Sequence, residues 1–186
     1  MKLYYDLASP YAYLAVARTG SVLGEEPRLQ PVLVGAIFGW RGRGSWAHTP
    51  QRSAGEAEIE RRAARYGLPP LVWPDGWPIN SLTAMRAAVW ADRQGRGPEF
   101  ARAVYEREFA RGEDVSEVAA LDAIGRAVGV EGIPEAVNDP AVKLALREAT
   151  EAAWERGVQG VPTLEAGRRL YFGDDRLEEA ASTTRG

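Results

Sequence analysis

The chain has 186 residues, of which 45% are hydrophobic, 26% charged and 9% aromatic, the size and balance of one domain, or of one domain with a sizeable insertion. Lys+Arg 23 against Asp+Glu 26 leaves a net charge of -3, so no basic excess exists to grip nucleic acid or an anionic membrane. There is no cysteine and a single histidine, His48, which excludes a disulfide framework, a thiolate metal site, a Cys nucleophile, a Cys-x-x-Cys redox pair and a multi-histidine metal site, and argues against a Ser-His-Asp triad.

Chemistry is therefore left to hydroxyls, carboxylates, guanidiniums, backbone amides or a borrowed cofactor. Lysine occurs only at Lys2 and Lys143, which reads first as coding bias. The N-terminus lacks the apolar stretch of a signal peptide and no 18-residue apolar run occurs, so a soluble cytoplasmic protein is expected.

Residues 2–6 predict a short aromatic strand. Ser9-Pro10 supplies an N-cap residue and a first-turn proline for a helix carrying Tyr11, Leu14, Ala15 and Val22 and ending near Gly24. Residues 28–34 read as a second strand, with Pro31 pointing to an edge or bulge. From Gly35 to Pro50 the chain reads as an irregular Gly-rich loop holding Trp40, Arg41, Arg43, Trp46 and His48, and a loop that long is more often functional than idle. A charged helix follows from about Ser53 to Tyr66, then a proline-punctuated crossing over 68–78. Further helices are predicted at 80–94, 98–111, 116–128 and 140–156, with Asn80-Ser81, Ser116 and Asp139-Pro140 as caps. Two short strands, Thr163–Glu165 and Arg169–Phe172, turn at Ala166-Gly167-Arg168, and Asp174 opens a last helix. The order β-α-β, helical block, β-β-α is that of an α/β domain split by an all-helical insertion.

Four stretches, in order, carry a more specific resemblance. They are Tyr5-Asp6-Leu7-Ala8-Ser9-Pro10-Tyr11-Ala12-Tyr13-Leu14-Ala15, Ser81-Leu82-Thr83-Ala84-Met85-Arg86, Gly157-Val158-Gln159-Gly160-Val161-Pro162-Thr163 and Phe172-Gly173-Asp174-Asp175-Arg176-Leu177. Together they resemble the DsbA-like family of 2-hydroxychromene-2-carboxylate isomerases and kappa-class glutathione transferases, over essentially the whole chain. The resemblance implies a thioredoxin-like core from 1–51 and 151–186, a helical insertion over 52–150, and a homodimer. It also implies isomerisation of a small aromatic carboxylate through reversible addition of the glutathione thiolate. A kappa-like transferase or peroxidase, or a non-enzymatic thioredoxin-fold binding module, are the alternatives. A disulfide oxidoreductase is excluded by the lack of cysteine.

The same resemblance assigns roles to particular residues. Ser9, otherwise an ordinary N-cap, would donate its hydroxyl to the glutathione sulfur at a helix start that favours negative charge. Val161-Pro162 would be a cis step that offers the Val161 backbone to the cysteinyl part, like an added strand. Asp174 and Asp175, by themselves helix-capping acids, would sit at the γ-glutamyl end, with Asp175 taking its ammonium.

In the loop 36–52 this sequence departs from the family. Gly42-Arg43 and Gln51-Arg52 stand roughly where relatives often carry a Gly-Asn step and a lysine, so Arg43 or Arg52 could bind a glycyl or substrate carboxylate, or be solvated. That departure leaves room for another low-molecular-weight thiol. Trp40, Trp46, Trp73 and Trp77 would suit a flat hydrophobic pocket, although most tryptophans are core. Asn80 reads as a cap first and a pocket residue second, and His48 as a loop residue first and a catalytic one second.

Overall fold

The computed structural model describes residues 1–184. Its frame is a four-stranded sheet in the order β2-β1-β3-β4, formed by β1 (Lys2–Tyr5), β2 (Arg28–Pro31), β3 (Thr163–Ala166) and β4 (Arg169–Phe172). β1 lies in the middle, parallel to β2 with Leu3 opposite Leu29, and antiparallel to β3 with Leu3 opposite Leu164. Leu3, Tyr4 and Tyr5 are all buried, the continuous burial expected of a strand covered on both faces. Pro31 is tolerated because β2 is an edge. β3 and β4 close through Gly167-Arg168, where Gly167 takes the positive φ of 59° that such tight turns require.

The first helical stretch is two helices, α1 (Pro10–Val16) and α2 (Thr19–Leu23), rather than one. The break centres on Arg18, which is buried, pairs with Glu178, donates to the Asp174 carbonyl at 3.2 Å and stacks on the Tyr66 ring. Thr19 Oγ1 donates to the Val16 carbonyl at 3.2 Å and so satisfies one broken end.

The irregular loop expected from Gly35 to Pro50 is corrected by the structure. Residues Val34–Trp40 form a helix, α3, and Trp46–His48 a 3-10 turn. Gly35 and Gly39 lower the local helix propensity and hide α3 in the composition. Tertiary structure overrides them: Ile37 is fully buried and the Val34 N–H finds a buried acceptor in Asp6.

The helical block holds α4 (Arg52–Arg65), α5 (Leu82–Arg93), α6 (Gly97–Tyr105), α7 (Val118–Ala127), an unforeseen α8 (Ile133–Ala136) and α9 (Pro140–Glu155). α6 runs on into a π-helical turn, Glu106–Ala110. Asp139 Oδ1 accepts from Ala141 N–H at 2.6 Å as a cap should. Ser116 does not cap α7, because the chain enters the helix one residue later, from Glu117, and Asp114 accepts the Ser116 N–H in the turn before it. A 3-10 turn, Asp174–Arg176, leads into α10 (Leu177–Thr184). The largest core side chains, Trp77, Tyr5, Tyr105, Phe100 and Phe109, lie where β1 meets the helical block, and a smaller cluster of Tyr4, Val32, Ile37, Ala153 and Val158 fills the other face. Among the described residues no helix is long and apolar enough to cross a membrane.

Candidate functional site

Beneath the site lies Asp6, at the end of β1 and fully buried. Its Oδ1 accepts from Ala8 N–H at 3.0 Å; its Oδ2 accepts from Val34 N–H at 2.9 Å and from the Ser81 hydroxyl at 3.1 Å. One carboxylate thus ties together the approach to α1, the start of α3 and the start of α5. Burial pushes its pKa above the ordinary aspartate value, against the pull of the three donors. Tyr105 donates its hydroxyl to the Asp6 carbonyl at 2.9 Å.

All three donors line a cavity of about 400 Å³. Ser9, Tyr11, Trp46, His48, Trp77 and Val161 share its wall, and Phe172, 59% exposed, lies at its edge. Trp77 is joined to Trp46 and Trp73 at ring separations of 5.6 and 4.7 Å, and Trp46 meets Tyr11 edge-on. This is the apolar wall expected of a small-molecule site with few, placed polar groups.

Two of the residues lining this cavity, Ser9 and Val161, keep polar atoms unspent. Ser9 Oγ caps α1 by accepting from Ala12 N–H at 3.3 Å, which leaves its own O–H without an acceptor among the described residues. Val161-Pro162 is cis, as is Trp77-Pro78, for which the sequence carries no local signal. The Val161 N–H and C=O make no hydrogen bond among the described residues. Their loop is held from outside: Gly173 N–H donates to the Pro162 carbonyl at 2.9 Å, Thr163 to the Gly160 carbonyl at 2.8 Å, and Arg41 to the Gln159 carbonyl at 2.7 Å. Gly160 is glycine for a steric reason, since a Cβ there would lie 2.9 Å from the Phe172 ring.

Asp174 is a different kind of residue. It is buried, with Oδ1 paired to Arg62 at 2.8 Å and Oδ2 accepting from the Tyr66 hydroxyl at 2.9 Å. Burial raises its pKa, while Tyr66 and Arg62 pull it down. For Arg62, burial works against the charge, but Glu58, Asp174 and Asp175 outweigh it. Asp175 is exposed, with Arg62 3.5 Å away. The Arg62 guanidinium lies over the ring of Tyr11, whose other contacts line the cavity, so this corner borders the site without opening into it.

The structure does not bring the two loop arginines to the cavity wall. Arg43 is exposed and has no ion-pair partner among the described residues. Arg52 is paired with Glu56 at 2.7 Å and lies over Trp77. Sequence reasoning assigns no role in the site to Asp6, Ser81 or Arg41. For Asp6 the one available signal is an acid placed directly after an apolar strand, where a buried partner is needed. Among the described residues no cluster of His, Cys, Asp and Glu could hold a metal ion.

Comparison with known proteins follows the same lines. Residues 1–184 match the model of the DSBA-like thioredoxin domain. The chain is 30% identical to a 2-hydroxychromene-2-carboxylate isomerase of Sphingobium xenophagum, over 94% of this chain and 92% of that one. It is 26% identical to glutathione S-transferase kappa 1 of Homo sapiens, over 96% and 87%. A solved structure of 2-hydroxychromene-2-carboxylate isomerase shares the fold with a TM-score of 0.87 at 23% identity, covering 99% of this chain and 93% of the other.

Proposed function

The chain belongs to the DSBA-like thioredoxin family that holds 2-hydroxychromene-2-carboxylate isomerase and kappa-class glutathione transferase, and from that premise we propose that it is a glutathione-dependent cis-trans isomerase of 2-hydroxychromene-2-carboxylate or a similar aromatic catabolite. The observation that carries this reading is the convergence of unspent polar atoms on one apolar cavity: the Ser9 hydroxyl and the Val161 N–H and C=O. A thiol tripeptide needs that set, a donor for its sulfur and a strand edge for its backbone.

Glutathione, when bound, would supply a thiolate for reversible addition to a conjugated carbon of the substrate, which would free the former double bond to rotate. Ser9 donates its O–H toward the sulfur, with the cap bond to Ala12 holding its side chain in place. It orients rather than attacks, since no side chain accepts its proton. The Val161 backbone pairs with the cysteinyl unit. Asp174 has both oxygens engaged and holds the turn, so Asp175, the exposed carboxylate, meets the γ-glutamyl ammonium. Trp46, Trp77 and Phe38 line the water-poor wall against which a flat bicyclic substrate rests.

Calorimetric titration with glutathione tests the thiol site. Binding in the micromolar to low-millimolar range, weakened about tenfold in Asp175→Ala, is expected, together with a loss of thiol-dependent isomerisation on the order of 100-fold in Ser9→Ala. No binding at several millimolar glutathione would overturn the assignment. Conjugation to an electrophile without isomerisation would move the protein to the transferase side of its family.

A further inference from the structure

We propose that His48 is the acid-base residue of this cavity, taking the proton of the substrate's ring hydroxyl and returning one to the ring oxygen as the chromene opens. This rests on the isomerase reading and adds a catalytic residue to it.

Elimination within the cavity comes first. Of the residues that line it, only Tyr11 and His48 have titratable side chains, and no Arg, Lys, Asp or Glu is among them. Burial pushes the Tyr11 phenol above its ordinary value despite the Arg62 guanidinium nearby, so it keeps its proton at neutral pH. Histidine is the side chain type that both accepts and returns a proton between pH 5 and 8.

Placement comes second. His48 ends the 3-10 turn Trp46–His48, and that turn is nailed down although its surroundings are rich in glycine. Ser45 Oγ caps it by accepting from Ala47 N–H at 3.2 Å, and Ala47 itself is buried. Trp46 packs against Tyr11 and Trp77, and its ring lies so close to α4 that a Cβ on Gly55 would be 2.2 Å away. His48 is exposed, and its ring has no hydrogen-bond or ion-pair partner among the described residues. α4, the helix packed against this turn, brings Arg52 and Glu56, which are paired with each other, and α1 brings Tyr11. His48 and Ser9 thus line the same cavity, and no group of the fold claims the imidazole among the described residues.

Substrate chemistry requires such a group. A chromene with hydroxyl and carboxylate on one ring carbon is a cyclic hemiketal, and its double bond is locked in the ring. As His48 takes the hydroxyl proton, the O–H electron pair becomes the new C=O bond. The bond from that carbon to the ring oxygen breaks with its pair on oxygen, and the imidazolium returns the proton to the resulting phenolate. Nothing is oxidised or reduced. The open-chain unsaturated ketone is the acceptor that thiolate addition needs.

The test measures isomerisation of 2-hydroxychromene-2-carboxylate at saturating glutathione from pH 5 to 9 in the wild type, His48→Gln and His48→Ala. In both variants kcat/KM is expected to fall roughly 100-fold and its pH profile to change shape, with glutathione affinity within twofold of wild type. Added imidazole should restore part of the His48→Ala rate. A His48→Gln enzyme within threefold of wild type, with the same pH profile, would overturn the proposal while leaving the isomerase reading intact. A wild type that binds glutathione but never turns the chromene over would overturn the isomerase reading, and this proposal with it.

Discussion

Ser9 and Asp174 look alike as sequence features: each is a small polar residue that opens a helical turn on the thioredoxin-like core. Their fates differ. Ser9 spends one lone pair on Ala12 and keeps its proton for the cavity, whereas Asp174 gives one oxygen to Arg62 and the other to Tyr66, and its carbonyl to Arg18. A polar side chain at a helix start is a ligand only to the extent that its own fold has not used it. The same distinction separates Asp174 from its neighbour Asp175, whose carboxylate stands 48% exposed beside one face of Arg62.

The comparison can be broken most forcefully at Asp6, on which the open region is hung. Asp6→Ala strips the acceptor from two half-buried N–H groups and the buried Ser81 hydroxyl, each orphan costing about 1–3 kcal/mol. Denaturant unfolding should therefore show a loss on the order of 4 kcal/mol. A loss below about 1 kcal/mol would mean that the cavity walls do not depend on this carboxylate. The closed corner comes next. Asp174→Ala takes the acceptor from the Tyr66 hydroxyl and one of three acidic partners from Arg62, which keeps Glu58 and Asp175. It should cost roughly 2 kcal/mol, which thermal unfolding with and without glutathione would resolve. If Asp174→Ala kept full stability but lost thiol binding, Asp174 would join Ser9 as a ligand. The smallest effect is expected at Arg43, where Arg43→Ala should change stability by under about 0.5 kcal/mol and leave glutathione affinity unaltered by calorimetry. A tenfold loss there would return Arg43 to the site.

Much of the molecule is legible in the amino-acid sequence. The strand-helix entry at Ser9-Pro10, the proline breaks over 68–78, the helix pairs 80–94 and 140–156 and the final hairpin each follow from local chemistry: caps, first-turn prolines, alternation and turn residues. These signals survive because each depends on neighbours within a turn or two of the chain. The lack of cysteine carries equal weight, since it removes disulfide exchange at once. Where local chemistry and tertiary contact disagree, local chemistry loses. α3 forms in a stretch that Gly35 and Gly39 mark as loop, because Asp6, 28 residues earlier, accepts the Val34 N–H. The helix expected to run on to Gly24 breaks at Arg18, because Asp174 and Glu178, at the other end of the chain, claim that guanidinium.

Sequence by itself determined the fold class, the order of the strands and the residues at the two key turns, since composition, caps and ordered motifs are properties of the chain. Only the tertiary structure decided which polar atoms remain available for chemistry. Availability is a residual, what is left after long-range partners have taken their share, and those partners lie 28 to 160 residues away in sequence. It left the Ser9 hydroxyl and the Val161 backbone open to one apolar cavity, closed Asp174 with Arg62 and Tyr66, and set the chain's single histidine on the cavity wall.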